Sequence, residues 1–249
     1  MLMQSDSVEK GIKILIVDDD AFTRKIVRRI LTDLHFSDVS EAESAESALA
    51  LMQGRAFDLI VTDVQMPGIN GLDLVRRIRS GLTGASRDTR TIVLTSYSNT
   101  EVIGAAMALD VNGFLVKPMK PGAVHVKIAQ AMHESPSVRP SIGYQSVDTN
   151  LRTVRAQPHV QPGPTTGDEA PGGDSDEADL PRRRVALEQL QPGMQLWQHV
   201  LSTDGTLLLS RGRTLSQLNI NRLLEVRSIL TDNLFWIVDG EAEPAPQSL

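Results

Sequence analysis

The run Lys13-Ile14-Leu15-Ile16-Val17-Asp18-Asp19-Asp20 decides the fold, because a short apolar strand ends directly on three carboxylates. A second apolar run, Leu59-Ile60-Val61-Thr62, ends on Asp63 and is followed by Met66-Pro67-Gly68. Two strands that deliver carboxylates at their C-terminal ends can build one acidic pocket.

Outward from these runs, from about Ile12 to His133, short apolar strands alternate with amphipathic helices, the pattern of a parallel sheet covered on both faces. The pattern predicts strands at Lys13–Val17, Ser37–Glu41, Asp58–Thr62, Thr91–Thr95 and Gly113–Val116. Helices are predicted at Ala21–Leu34, Ala45–Gln53, Gly71–Ser80, Thr100–Leu109 and Gly122–Met132. In the first, Ile26, Ile30 and Leu34 recur at four-residue spacing beside Val27 and Leu31, which turns Arg24, Lys25, Arg28 and Arg29 largely outward. Each helix is too short to stand without packing on the sheet. The implied fold is an α/β, doubly wound, five-stranded parallel sheet of flavodoxin-like type. Such sheets hold ligands at the carboxyl ends of their strands, where the strand order reverses, and Asp18, Asp19 and Asp63 belong there.

The 249 residues, 41% hydrophobic with a net charge of -6, allow one large or two modest domains. An acidic chain has no general pull toward nucleic acid or an anionic membrane. The absence of cysteine excludes disulfides, thiolate metal sites and cysteine nucleophiles, and fits a reducing compartment. Met1–Lys10 lacks the pattern of a signal peptide, and no apolar run approaches the roughly 20 residues needed to span a bilayer. A cytoplasmic chain without membrane insertion is expected.

After residue 134 the composition changes. Residues 135–181 are rich in proline and glycine, with an acidic cluster from Asp168 to Asp179, and read as a disordered linker. Order resumes in residues 182–240, a β-rich α+β module, before a disordered tail at 241–249. Met194–Leu201 reads as a strand, Asp204-Gly205 as a two-residue hairpin turn, and Thr206–Leu209 as the partner strand. Thr214–Val226 reads as a helix with Leu215, Leu218, Leu223 and Val226 inward, and Leu234–Val238 as a closing strand. A module of roughly 55 residues is marginal alone, so it is expected to dock on a partner or dimerise. Arg182-Arg183-Arg184 reads as a solvated boundary beside the acidic linker.

Crowded carboxylates repel, so an ionised cluster needs a cation or raises the pKa of one member. Mg²⁺ suits one or two carboxylates together with waters and phosphate oxygens. Asp20 reads equally as a pocket carboxylate or as the N-cap of the first helix. Thr95-Ser96 and Lys117-Pro118 close the fourth and fifth strands, supplying a hydroxyl that can donate to a phosphoryl oxygen and an ammonium that can neutralise it.

The first 134 residues resemble the receiver domains of two-component response regulators, the CheY-like superfamily. The matching pieces are Ile16-Val17-Asp18-Asp19, Thr62-Asp63-Val64-Gln65-Met66-Pro67-Gly68 with Asn70-Gly71, Leu94-Thr95-Ser96, and Gly113-Phe114-Leu115-Val116-Lys117-Pro118. The resemblance implies that Asp63 is the phosphoacceptor, a carboxylate nucleophile toward the phosphohistidine of a sensor kinase or phosphotransfer protein. It implies a Mg²⁺ site of Asp18, Asp19, Asp63 and the backbone carbonyl of Gln65. Lys117 would pair with the phosphoryl oxygens, its peptide bond to Pro118 cis. Thr95 and Phe114 would form a switch, although Phe114 also reads as an ordinary core aromatic. Asp110 and Arg90 stand where receivers often carry glycine and proline, and Gln65 and Tyr97 occupy positions that tune phosphoryl lifetime. Receivers convey their state through the fourth helix, fifth strand and fifth helix, here about Thr100 to Met132.

The output is less explicit. Residues 182–249 balance seven arginines against seven carboxylates, which disfavours nucleic acid, and His199 is the only histidine after His159, too few for a histidine-aspartate phosphohydrolase centre. Leu190–Met194, Asp204–Leu209 and Gly212–Leu215 resemble small accessory modules found beside such phosphohydrolase domains. The expectation is a bacterial regulator with no catalytic output that switches a surface for an unidentified downstream protein and has scope to homodimerise through the receiver or the module. The alternatives are a DNA-binding transcriptional regulator, or cyclic-dinucleotide binding by the module.

Overall fold

The computed structural model describes residues 11–95, 100–134, 138–150 and 182–238. Expectations for Ser96, Tyr97, residues 151–181 and the tail from 239 lie outside these residues.

Strands β1 (Lys13–Val17), β2 (Asp38–Ala42), β3 (Leu59–Asp63), β4 (Arg90–Thr95) and β5 (Gly113–Val116) form one parallel sheet in the order β2-β1-β3-β4-β5. Between them run α1 (Ala21–Asp33), α2 (Ala45–Gly54), α3 (Gly71–Arg79), α4 (Thr100–Ala108) and α5 (Pro121–His133). Successive strand residues point to opposite faces, so each central strand feeds two cores. Ile14 and Ile16 pack with Val27, Ile30 and Leu31 of α1 and Val124 and Ile128 of α5. Leu15 and Val17 pack the other way, with Ala48 and Met52 of α2 and Leu74 and Ile78 of α3. Because β2 and β3 flank β1 on opposite sides, the strand order reverses there, and the crevice opens at the C-terminal ends of β1 and β3.

One stretch expected in the linker is folded. Residues 138–150 carry a short helix, α6 (Ile142–Gln145), and its Tyr144 is fully buried against the core beneath α4. The tyrosine hydroxyl donates to Asp110 Oδ2 at 2.8 Å and accepts from the Arg139 backbone N–H at 2.7 Å. Composition reads this stretch as linker because it is short and polar; it is held by buried Tyr144 together with the bonds from Arg139 to Asp110 and from Asn70 to the Thr149 carbonyl.

In the C-terminal module, β6 (Arg182–Ala186) and β7 (Gln195–Leu196) flank β10 (Leu234–Val238) in an antiparallel sheet, while β8 (Val200–Leu201) pairs with β9 (Leu207–Leu209). The strand expected over Met194–Leu201 is therefore two strands in two sheets. The expected two-residue turn is also longer. Gly205 N–H donates to Ser202 O at 2.8 Å and Ser202 N–H to Thr206 O at 2.9 Å, so Gly205, at φ 85°, takes the left-handed bulge position of a three-residue loop. Helix α7 (Gln217–Glu225) starts later than Thr214, because Ser216 and Asn219 form a reciprocal capping box. Arg182–Arg184 are exposed, as expected of a solvated stretch, and lie in β6, paired with β10.

The module is seated on the five-stranded domain. Ile103 and Met107 of α4 are buried in the same cluster as Leu208, Leu209, Leu215, Leu223 and Phe235 of the module, and Phe114 packs against it. Removing two such side chains from water contributes about 1.5–3 kcal/mol each. A Cβ built on Gly104 of α4 would run into the Leu207 carbonyl oxygen of β9, so the close approach requires glycine. Polar contacts fix the register. Arg213 and Asn219 donate to Asp110 Oδ1, Thr100 donates to Asp204, and Arg222 donates to Glu134 Oε1 at 2.7 Å. Lys127 Nζ lies 2.7 Å from Glu225 Oε1. Arg222 Nη1 is 2.6 Å from that same carboxylate oxygen, yet it is buried outside hydrogen-bond geometry, so the contact is an ion pair alone.

Candidate functional site

Each strand end contributes one component. Asp18, fully buried, and Asp19, exposed, follow β1, and Asp63 closes β3 with 7% of its surface exposed. One carboxylate oxygen from each of the three lies within 4.8 Å of the others. Lys117, after β5, places Nζ 2.9 Å from Asp18 Oδ2 and 3.0 Å from Asp63 Oδ1. The Lys117–Pro118 bond is cis. The Val64 N–H donates to Asp63 Oδ1 at 2.8 Å, so both of these contacts on the carboxylate fall on the same oxygen.

Burial is the largest influence on Asp63 and holds its pKa above the usual carboxylate range; Lys117 pulls it back, while Asp18 adds to the rise. Burial alone would lower Lys117, but its hydrogen bond to Asp18 and the charge of Asp63 outweigh that and leave its pKa raised. The two partners therefore shift in the same direction. An ion pair alone would lower the acid, so the upward direction at Asp63 reflects burial and the neighbouring Asp18 together outweighing the attraction to Lys117.

Thr95 ends β4, nearly buried, and joins Asp63, Gln65 and Lys117 around a cavity of about 90 Å³. Gln65 is exposed on the loop after Asp63. Phe114 is half-buried and lies against two clusters at once: the one with Val64, Val93 and Val102, and the module's core. Phe114 therefore lies at the boundary between the two folded parts.

Asp20 is a helix cap. Its oxygens accept from the Phe22 N–H at 3.0 Å and the Thr23 N–H at 3.1 Å, and the Thr23 hydroxyl, first among these bonds, lowers its pKa. Arg24 does not point outward; its Nη1 donates to the Asp18 carbonyl at 2.7 Å and the Asp19 carbonyl at 3.2 Å, fixing the backbone from which both carboxylates hang. Lys25, Arg28 and Arg29 are exposed as expected. Gly71, quoted in the sequence without a role, starts α3 so close beneath the acid that a Cβ there would collide with the Asp63 carbonyl oxygen.

The two departures from the receiver pattern have structural uses. Asp110 sits at φ 53° and its carboxylate joins Arg139, Tyr144, Arg213 and Asn219. Arg90 donates to the Ala131 carbonyl at 2.8 Å and to the Met132 carbonyl at 3.3 Å, tying β4 to the end of α5. No local sequence signal marks either role.

The family model of the response regulator receiver domain matches residues 14–129. The chain is 36% identical over 121 residues to the chemotaxis protein CheY-3 of Vibrio cholerae, covering 49% of this chain and 92% of that protein. It is 35% identical over 116 residues to the chemotaxis protein CheY of Pseudomonas aeruginosa, covering 47% and 92%. Among solved structures, the chemotaxis response regulator CheY4 of Vibrio cholerae is similar at 30% identity and a TM-score of 0.44, covering 48% of this chain and 98% of that one.

Proposed function

Because this chain belongs to the response regulator receiver family and is a two-component response regulator, we propose that Asp63 accepts a phosphoryl group and that the acceptance changes how the C-terminal module is held. The observation that carries this reading is the convergence of Asp18, Asp19, Asp63 and Lys117 at the reversal point of the sheet.

Asp63 Oδ1 is engaged by Val64 and Lys117, which leaves Oδ2 to attack the phosphorus of a phosphohistidine or a small acyl phosphate. The new O–P bond forms as the bond to the donor's nitrogen or oxygen breaks, giving an aspartyl phosphate. Lys117, already oriented by Asp18, meets the incoming phosphoryl charge, and the Thr95 hydroxyl lies on the same cavity to donate to it. Three carboxylates with hard oxygen donors fit Mg²⁺, which Asp18, Asp19, Asp63 and the Gln65 carbonyl would hold, and the ion would offset negative charge during transfer. The donor would be a sensor histidine kinase or a phosphotransfer protein, and no catalytic output is needed.

Phe114 links the acceptor to the module. Movement of Thr95 toward the phosphoryl group would open space for the ring to swing inward, withdrawing it from the module's core and loosening the seat on α4. Among the described residues no helix is long and apolar enough to cross a membrane. The test is labelling with acetyl phosphate and Mg²⁺: the wild type is modified and Asp63→Asn is not, whereas equal labelling of both would refute the assignment.

A further inference from the structure

The C-terminal module carries both tryptophans of the chain, and they stand in one row with arginines. The Arg182 guanidinium carbon lies 5.0 Å from the Trp197 ring centroid and 5.7 Å from that of Trp236. Arg184 lies 5.1 Å from Trp236, and Arg211 lies 5.0 Å from Trp197. Arg182 and Arg184 are exposed, and among the described residues no carboxylate pairs with either. Stacking on an indole uses the face of a guanidinium and leaves its N–H donors, which lie in its plane, open to an anion. It also holds a long side chain in place before binding, so less freedom is lost when the anion arrives.

These arginines stand on an edge. Among the described residues β6 is the terminal strand of its sheet and pairs with β10 alone, Arg182 opposite Val238 and Arg184 opposite Trp236. Residues two apart on a strand point the same way about 6.4–6.8 Å apart. Every second side chain of an extended peptide has that same spacing. A strand added along β6 would continue the backbone ladder and could set alternate carboxylates against Arg182 and Arg184.

We propose that the β6 edge is a docking site for an extended acidic peptide of a partner protein, with carboxylates at alternate positions recognised by Arg182 and Arg184. Charge decides between this and a neutral strand, since the cations are clustered on a chain whose net charge is -6. The rings favour this over a nucleic acid, since each indole already has two guanidiniums within 5.7 Å of its ring centroid, with which a stacking nucleobase would compete.

Both tryptophans lie in the site, so the intrinsic fluorescence of the full chain reports on it directly. A short synthetic peptide of alternating Glu and Thr should shift the emission saturably, weaken with added salt, and lose at least about ten-fold in affinity in the Arg182→Gln, Arg184→Gln variant. The same peptide with Gln for Glu should not bind. If the double variant fails to fold, the salt dependence and the Gln peptide on the wild type decide the matter. No saturable shift, or equal binding of the Gln peptide, would overturn the proposal. So would a single-stranded oligonucleotide that binds more tightly through the same arginines. Binding seen only after Asp174→Asn, Asp176→Asn, Glu177→Gln and Asp179→Asn would assign the edge to the chain's own acidic stretch, and would equally overturn a separate partner.

Discussion

The acidic end of the five-stranded sheet and the face beneath the C-terminal module are assembled in opposite ways. At the acidic end, charge is unbalanced: three carboxylates converge on one ammonium, and burial holds Asp63 above its usual pKa. Under the module, every acid is paired with a cation, with Asp110 facing both Arg139 and Arg213, and Glu134 facing Arg222. The first arrangement is poised to receive something. The second holds two folded parts in register, and the half-buried Phe114 is the residue that lies between them.

The sharpest way to break this contrast is to neutralise one acid in each region. Asp110→Asn keeps the shape and tolerates the left-handed backbone, but it leaves Arg213 buried without a counter-charge, and the expected cost is about 3–5 kcal/mol in denaturant unfolding. Asp63→Asn relieves crowding and should cost no stability. Equal losses in the two variants would erase the distinction.

A smaller effect is expected where the two parts touch without charge. Gly104→Val places atoms against the Leu207 carbonyl, and overpacking of this kind costs about 1–3 kcal/mol. The loss should appear as faster proteolysis of residues 182–238 while acetyl-phosphate labelling of Asp63 is unchanged. A variant that loses labelling in proportion would show that the seat and the acceptor are one structural unit.

The smallest concerns pH. Burial of Asp204 would raise its pKa, but hydrogen bonds from Ser202 and then from Thr100 of α4 outweigh it and bring the value down to about 2 from 3.8. A folded-state pKa below the unfolded value stabilises above about pH 4, and that contribution is lost as pH falls toward about 2. The wild type should therefore lose stability relative to Asp204→Asn across this window. The group is largely exposed, so the difference is expected to be small; parallel pH curves for the two proteins would contradict it.

How much of this was legible in the sequence follows the same divide. β1, β3 and the acidic pocket are written in short runs, because a strand end places its next residues by local geometry alone. Lys117 was readable for the same reason. Asp110 was readable only as a departure, since its partners Tyr144, Arg213 and Asn219 lie 34, 103 and 109 residues away. The charges of Arg182–Arg184 rightly suggested exposure, but composition cannot tell a guanidinium in open solvent from one held against Trp236. Met194–Leu201 read as one strand because its apolar positions alternate, although Leu196 pairs with Ile237 and Val200 with Leu209 in separate sheets.

The most direct measurement is hydrogen exchange at the backbone amides of α4 and β9 with and without acetyl phosphate and Mg²⁺. Phosphorylation of the wild type should speed exchange at residues 100–108 and 207–209, with no change in Asp63→Asn treated identically. Unchanged protection in a wild-type protein shown to be phosphorylated would contradict the coupling of the acceptor to the module.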